Sequence, residues 1–153
     1  MKKVGLLICS TMTRDLNCSS YGCFMTVKHG QGECARYRDE GGAELIGIVS
    51  CAGCPTVLAP ERILKKARAL KETGADVIHM GTCMQAMCPF IAKYKQIIEK
   101  EYPDLQVVIG THVIDTPEMG EMIRCAIRDM ILQPQKDMTD IHISMKEMPQ
   151  AGV

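Results

Sequence analysis

Four short apolar runs punctuate the chain: Val4–Ile8, Leu45–Val49, Asp76–Met80 and Gln106–Gly110. Each is rich in β-branched residues and lacks polar alternation, the pattern of a strand covered on both faces. Helical spacing fills the gaps. Pro60 sits at a first helical position with Glu61 behind it; Ile63, Leu64, Ala67 and Leu70 then recur on one face, and Gly74 is the stop. A second helix runs from Pro89 to Lys100, with Ile91, Tyr94, Ile97 and Ile98 on one side and Pro103 closing it. A third starts at Thr116-Pro117-Glu118-Met119. Its wide apolar stripe is Met119, Met122, Ile123, Ala126, Ile127, Met130 and Ile131. A further helical stretch falls between Ser20 and His29.

Strands alternating with helices mean crossover connections and a parallel sheet. The expected fold is a small doubly wound α/β domain of the Rossmann or flavodoxin-like kind. It has a mostly parallel sheet of about four strands with helices on both faces. One domain is expected over residues 1–132, followed by a tail over 133–153. After Gln133-Pro134 the apolar pattern fades, and the tail reads first as a mobile terminus and second as a segment packed on a neighbour.

Composition narrows the function. The 153 residues carry 18 Lys and Arg against 18 Asp and Glu, a formal charge of zero, which argues against nucleic acid as the main partner. No apolar run is long enough to span a membrane. The N-terminal run Val4 to Cys9 is shorter than a secretory core segment, so a cytoplasmic location is expected. The nine cysteines are the anomaly. In a reducing compartment structural disulfides are rare, and an odd number resists complete pairing. Such thiols are core residues, metal ligands or reactive groups.

Laid on the expected scaffold, the cysteines gather. Cys9 follows the first strand. Cys51 follows the second, with Cys54 three residues on, in Ser50-Cys51-Ala52-Gly53-Cys54-Pro55. His79 closes the third strand, and Cys83 and Cys88 come after it; His112 follows the fourth. Cys18 and Cys23 lie beyond the first strand's end. In a parallel sheet all these ends share one edge, the edge where open α/β sheets bind ligands. Cys125 sits mid-helix as a small hydrophobe, and Cys34 reads as a free surface or core thiol.

Cys51-x-x-Cys54 has two chemical readings. Two intervening residues let both thiolates face one ion, the common half-site for zinc and for iron–sulfur clusters. The same spacing after a strand is also a thiol–disulfide motif, with Cys51 attacking and Cys54 resolving. His79 and His112 could each ligate through one ring nitrogen while the other is held by a neighbour. Asp76, Asp115 and Glu118 could support a site, though no spacing selects them. Neither a dinucleotide fingerprint nor a Walker loop is present.

The chain resembles the CGGC domain family, small prokaryotic proteins named for a central Cys-Gly-Gly-Cys. The likeness runs from Lys3 to about His112. It is carried by Cys9, Cys18, Cys23, Val49-Ser50-Cys51-Ala52-Gly53-Cys54-Pro55, Gly74-Ala75-Asp76-Val77-Ile78-His79, Cys83, Cys88-Pro89 and Gly110-Thr111-His112. Ala52 stands where the name motif has its first Gly. The resemblance implies a metal-binding, usually zinc-binding, role and assigns no reaction.

The leading expectation is therefore a metal-site protein holding zinc or an iron–sulfur cluster. Cys9, Cys51, Cys54 and Cys83 form the inner set; Cys18, Cys23, Cys88, His79 and His112 supply a second site or an outer shell. A metal-free thiol–disulfide protein using Cys51 and Cys54 is the first alternative. A sensor or interaction module is the second: metal occupancy would reshape the Met-rich last helix and tail, with a homodimer through that helix as its mark. Whether the chain is an enzyme stays open.

Overall fold

A computed structural model of the chain describes residues 1–54, 56–112 and Cys125. The expected last helix and tail otherwise lie outside the described residues. The sheet has four strands: β1 (Lys2–Ile8), β2 (Ala43–Ser50), β3 (Val77–Met80) and β4 (Gln106–Ile109), in the order β2-β1-β3-β4 and parallel throughout. The helices are α1 (Ser10–Arg14), α2 (Tyr21–His29), α3 (Ala59–Glu72), α4 (Thr82–Met87) and α5 (Ile91–Glu101), with a 3-10 segment over Gly32–Glu40. Among the described residues no helix is long and apolar enough to cross a membrane.

Period-2 alternation along the strands feeds two cores. Leu7, Ile78, Met80 and Val107 point toward α3 and α5, where Ile63, Ala67, Leu70, Tyr94 and Ile98 meet them. Val4, Leu6, Ile8, Val77 and Val108 point the other way, onto Cys23 and Val27 of α2 and Cys34 and Tyr37 of the 3-10 segment. Helices thus cover both faces, the doubly wound arrangement expected of continuous apolar strands. Gly74 ends α3 as anticipated, at φ +91°. Three elements carry no usable periodicity and were not expected: α1, α4 and the 3-10 segment, the helices being too short to show a stripe.

Two details of packing set the position of the site. β1 and β2 run at one offset up to Val4↔Leu45 and at another from Gly5↔Gly47, so Ile46 is an extra residue in β2. Beside this bulge Leu70 of α3 presses onto the sheet. A Cβ on Gly5 would sit 2.9 Å from a Leu70 methyl carbon, and one on Gly47 3.1 Å from the other. The second detail is the strand order. The chain leaves β1 toward β2 on one side, while β3 and β4 lie on the other, so the topological switch falls between β1 and β3.

Candidate metal centre

Cys9 ends β1 still extended, at φ −70° and ψ 123°. The ladder ends at Ile8↔Ser50, where the Cys51 N–H donates to Ile8 O at 2.8 Å. Cys51 is thereby carried alongside Cys9, and both side chains pack against the α3–α5 core. The Cys9 thiol donates a hydrogen bond to the Cys51 sulfur. That sulfur also accepts the Ser10 N–H at 3.3 Å and the Gly53 N–H, and lies 3.5 Å from the Ser10 hydroxyl. The bond from Cys9 is the main cause that brings Cys51 down to about 5, against the opposing effect of burial; the Ser10 and Gly53 groups add to it. Cys9 is pushed up, because its proton serves that same bond and because it is partly buried. The two thiols therefore titrate as a pair that shares one proton across neutral pH.

β3 delivers the third sulfur. The Gly81 N–H donates to Leu7 O at 2.8 Å, and α4 starts at once, placing Cys83 in its first turn. Its Sγ accepts the Cys9 N–H at 3.3 Å, spanning the switch between β1 and β3. Burial pushes the Cys83 thiol up to about 12. The remaining thiols flank this trio. Cys54 is exposed; Cys88 is half-buried, raised by burial and further by the nearby charges of Cys54 and Cys51. On the other side Met12 packs against Cys9, Cys18 and Cys83 together. The Cys18 sulfur accepts the Ser20 N–H at 3.4 Å. Cys23 is buried, pushed up to about 11 by that burial, and feels the charges of Cys18 and Cys34. Cys9, Cys23, Cys34, Cys51, Cys54, Cys83 and Cys88 are all in the thiol form, outside any disulfide.

The two candidate histidines differ. His79 is fully buried, with both ring nitrogens engaged. Nδ1–H donates to Gly110 O at 3.0 Å, which leaves Nε2 to accept from the Tyr37 hydroxyl at 2.8 Å. Burial lowers the His79 pKa and pushes Tyr37 up to about 12, so the pair stays neutral. In this arrangement His79 offers no nitrogen to a ligand. His112 is half-buried at the sheet edge, with Nδ1 3.3 Å from Thr111 Oγ1.

Sequence reasoning passed over the groups that hold this edge in place. The Thr82 hydroxyl donates to His112 O at 2.6 Å and accepts the Thr111 N–H at 3.1 Å, while Thr111 Oγ1 lies 3.4 Å from Cys23 Sγ. The ends of β3 and β4 are thus clamped together and tied to α2. The signal was present: the dipeptide Gly-Thr recurs at both strand ends, as Gly81-Thr82 and Gly110-Thr111. Cys34, left without a role, is fully buried and raised to about 11 by burial, a packing residue of the α2 face.

The donor set suits a thiophilic ion in its chemistry: soft sulfurs, one held as thiolate, with peptide N–H groups aimed at them. Among the described residues, no three His, Cys, Asp or Glu side chains converge on one point as they stand.

The CGGC domain profile matches residues 3–112. The chain belongs to the CGGC domain family. Membership of this cysteine-containing family suggests metal binding without naming a metal. An uncharacterized protein of Methanocaldococcus jannaschii is 31% identical over 130 residues, covering 79% of this chain and 93% of that relative. Another uncharacterized protein of the same organism is 33% identical over 70 residues, covering 44% of this chain and 98% of the relative. No solved structure matches the chain.

Proposed function

We propose that this CGGC-domain protein binds zinc or an iron–sulfur cluster through cysteines at the C-terminal edge of its sheet. The observation that carries the reading is that Cys9, Cys51 and Cys83 stand just past the ends of three adjacent strands, with the Cys9 N–H donating to Cys83 Sγ and the Ser10 N–H to Cys51 Sγ. With Cys54 of the same β2 loop they make the inner ligand set. Cys18, Cys23, Cys88 and His112 form the outer set, and His79 orients the edge through Gly110 instead of ligating. When bound, zinc would supply Lewis acidity, and a cluster would supply one-electron transfer. The protein's own contribution is to hold Cys51 ionised, to donate N–H groups to the sulfurs and to exclude water beneath them with Met12 and the α3–α5 core. Protein of this kind belongs in a reducing compartment, where its thiols stay free.

The test is elemental analysis with an absorption spectrum on full-length protein purified without air. Near-stoichiometric zinc without colour, or iron with labile sulfide and a brown chromophore, supports the reading and chooses between its two forms. A Cys51→Ser/Cys54→Ser double variant should then lose the metal. Protein that neither carries nor takes up zinc, iron or a reconstituted cluster overturns the reading.

A further inference from the structure

We propose that Cys9 and Cys51 are a redox-active dithiol that exchanges with low-molecular-weight disulfides and closes a disulfide between β1 and β2. The two sulfurs belong to the metal reading as well, yet this inference stands on strand register alone. Neighbouring strands lie about 4.8 Å apart, and residues paired in a parallel ladder point to the same face. Continued one step beyond its last pair, Ile8↔Ser50, this register sets Cys9 opposite Cys51. Cys9 keeps extended backbone, and the Cys51 N–H still bonds to β1. The Cα separation expected for such a pair falls inside the range of about 4.4–6.8 Å that a disulfide spans. Both side chains pack on the same core. The register is itself a product of the bulge: without the extra residue Ile46, Cys9 would face Ser50. Cys54, the partner that the Cys-x-x-Cys spacing nominates, is exposed, and Gly53 between it and Cys51 is left-handed at φ +91°.

The exchange balances with oxidised glutathione as the oxidant. The Cys51 thiolate attacks one glutathione sulfur, breaking its S–S bond and releasing a glutathione thiolate, which takes up a proton. Cys9 gives up its proton and attacks the Cys51 sulfur of the mixed disulfide, expelling the second glutathione. The protein's thiolate and thiol lose two electrons and one proton, and the glutathione disulfide, with that proton and one from solvent, becomes two thiols.

The experiment is peptide mapping of the full chain, purified without air, with its metal content measured first. Samples with and without prior chelation are treated with oxidised glutathione, alkylated and cut with trypsin. Trypsin puts Cys9 in peptide 4–14 and both Cys51 and Cys54 in peptide 39–62. A cross-link between these two peptides, with Cys54 alkylated, is the expected result in the chelated sample. A closed Cys51–Cys54 bridge within peptide 39–62, or glutathione left on Cys51 with Cys9 alkylated, overturns the proposal. A Cys9→Ser chain should accumulate the glutathione adduct on peptide 39–62; loss of that adduct as fast as in the native chain also overturns it. The metal reading is judged separately by the initial metal content, and metal bound at these sulfurs should suppress the cross-link in the unchelated sample.

Discussion

At Cys51 the chemistry of a single side chain is set almost wholly by its neighbours. A thiol half-buried against an apolar core would ordinarily lose acidity, since burial disfavours the charged form. Here a donated hydrogen bond from Cys9 and peptide N–H groups from Ser10 and Gly53 outweigh burial. In metal-free, reduced protein, iodoacetamide should therefore modify Cys51 first among the half-buried thiols. Its rate should follow an ionisation near 5 instead of the ordinary 9.0. A Cys9→Ala substitution removes the main donor, and the midpoint of that pH–rate profile should move upward. An unchanged midpoint would show that the pair is not coupled as described.

His79 is the opposite case, a titratable group kept neutral. Its folded pKa lies below the ordinary 6.5, so the unfolded chain binds the proton more tightly. Its contribution to stability is present in full above that value, and it is lost as pH falls from there through the lower folded pKa. Urea unfolding followed from pH 7.5 down to about 5 should show stability declining over this window. A His79→Gln variant should flatten the decline. It should also cost about 1–3 kcal/mol at neutral pH, since Tyr37 and Gly110 lose a well-placed partner.

At the scale of elements, the contact between α3 and the β1–β2 pair matters most for the site. Gly5 and Gly47 are paired neighbours, and Leu70 occupies the space their side chains would fill. Leu70 is nearly fully buried, so it has little room to yield. Gly5→Ala should destabilise the fold by about 1–3 kcal/mol, as overpacking of a filled core does. Chemical denaturation with an unchanged slope would report the loss. Shifting α3 or the bulge would also displace Cys51 from Cys9, so the same variant should lower the reactivity of Cys51 toward iodoacetamide.

For the whole molecule, the governing fact is where the order of strand addition reverses. β1 and β3 sit side by side, yet their following chains depart to different elements, opening the edge at which Cys9 and Cys83 meet. A metal that binds the folded edge and not the unfolded chain must stabilise the fold in proportion to the logarithm of one plus its free concentration over its dissociation constant. Zinc at about a hundred times its dissociation constant should add about 2.7 kcal/mol, and the melting temperature of metal-free protein should rise with each increment of ion. A melting temperature indifferent to zinc, in protein that also refuses an iron–sulfur cluster, would remove the metal reading at this scale.

Much of this was legible in the residues themselves. The four apolar runs, the helical stripes of α3 and α5 and the stop at Gly74 record local physics, because burial on two faces or one leaves its period in the chain. Since every strand of a parallel sheet points the same way, cysteines placed after strands had to share an edge. Their exact partners were another matter. That Cys9 faces Cys51 depends on one extra residue in β2, and the pressure of Leu70 on Gly5 and Gly47 belongs to the same packing. That His79 spends both nitrogens depends on Tyr37, which lies 42 positions away in sequence. Register and side-chain partnership are long-range choices, settled when helices and strands compete for one core, and no local period encodes them.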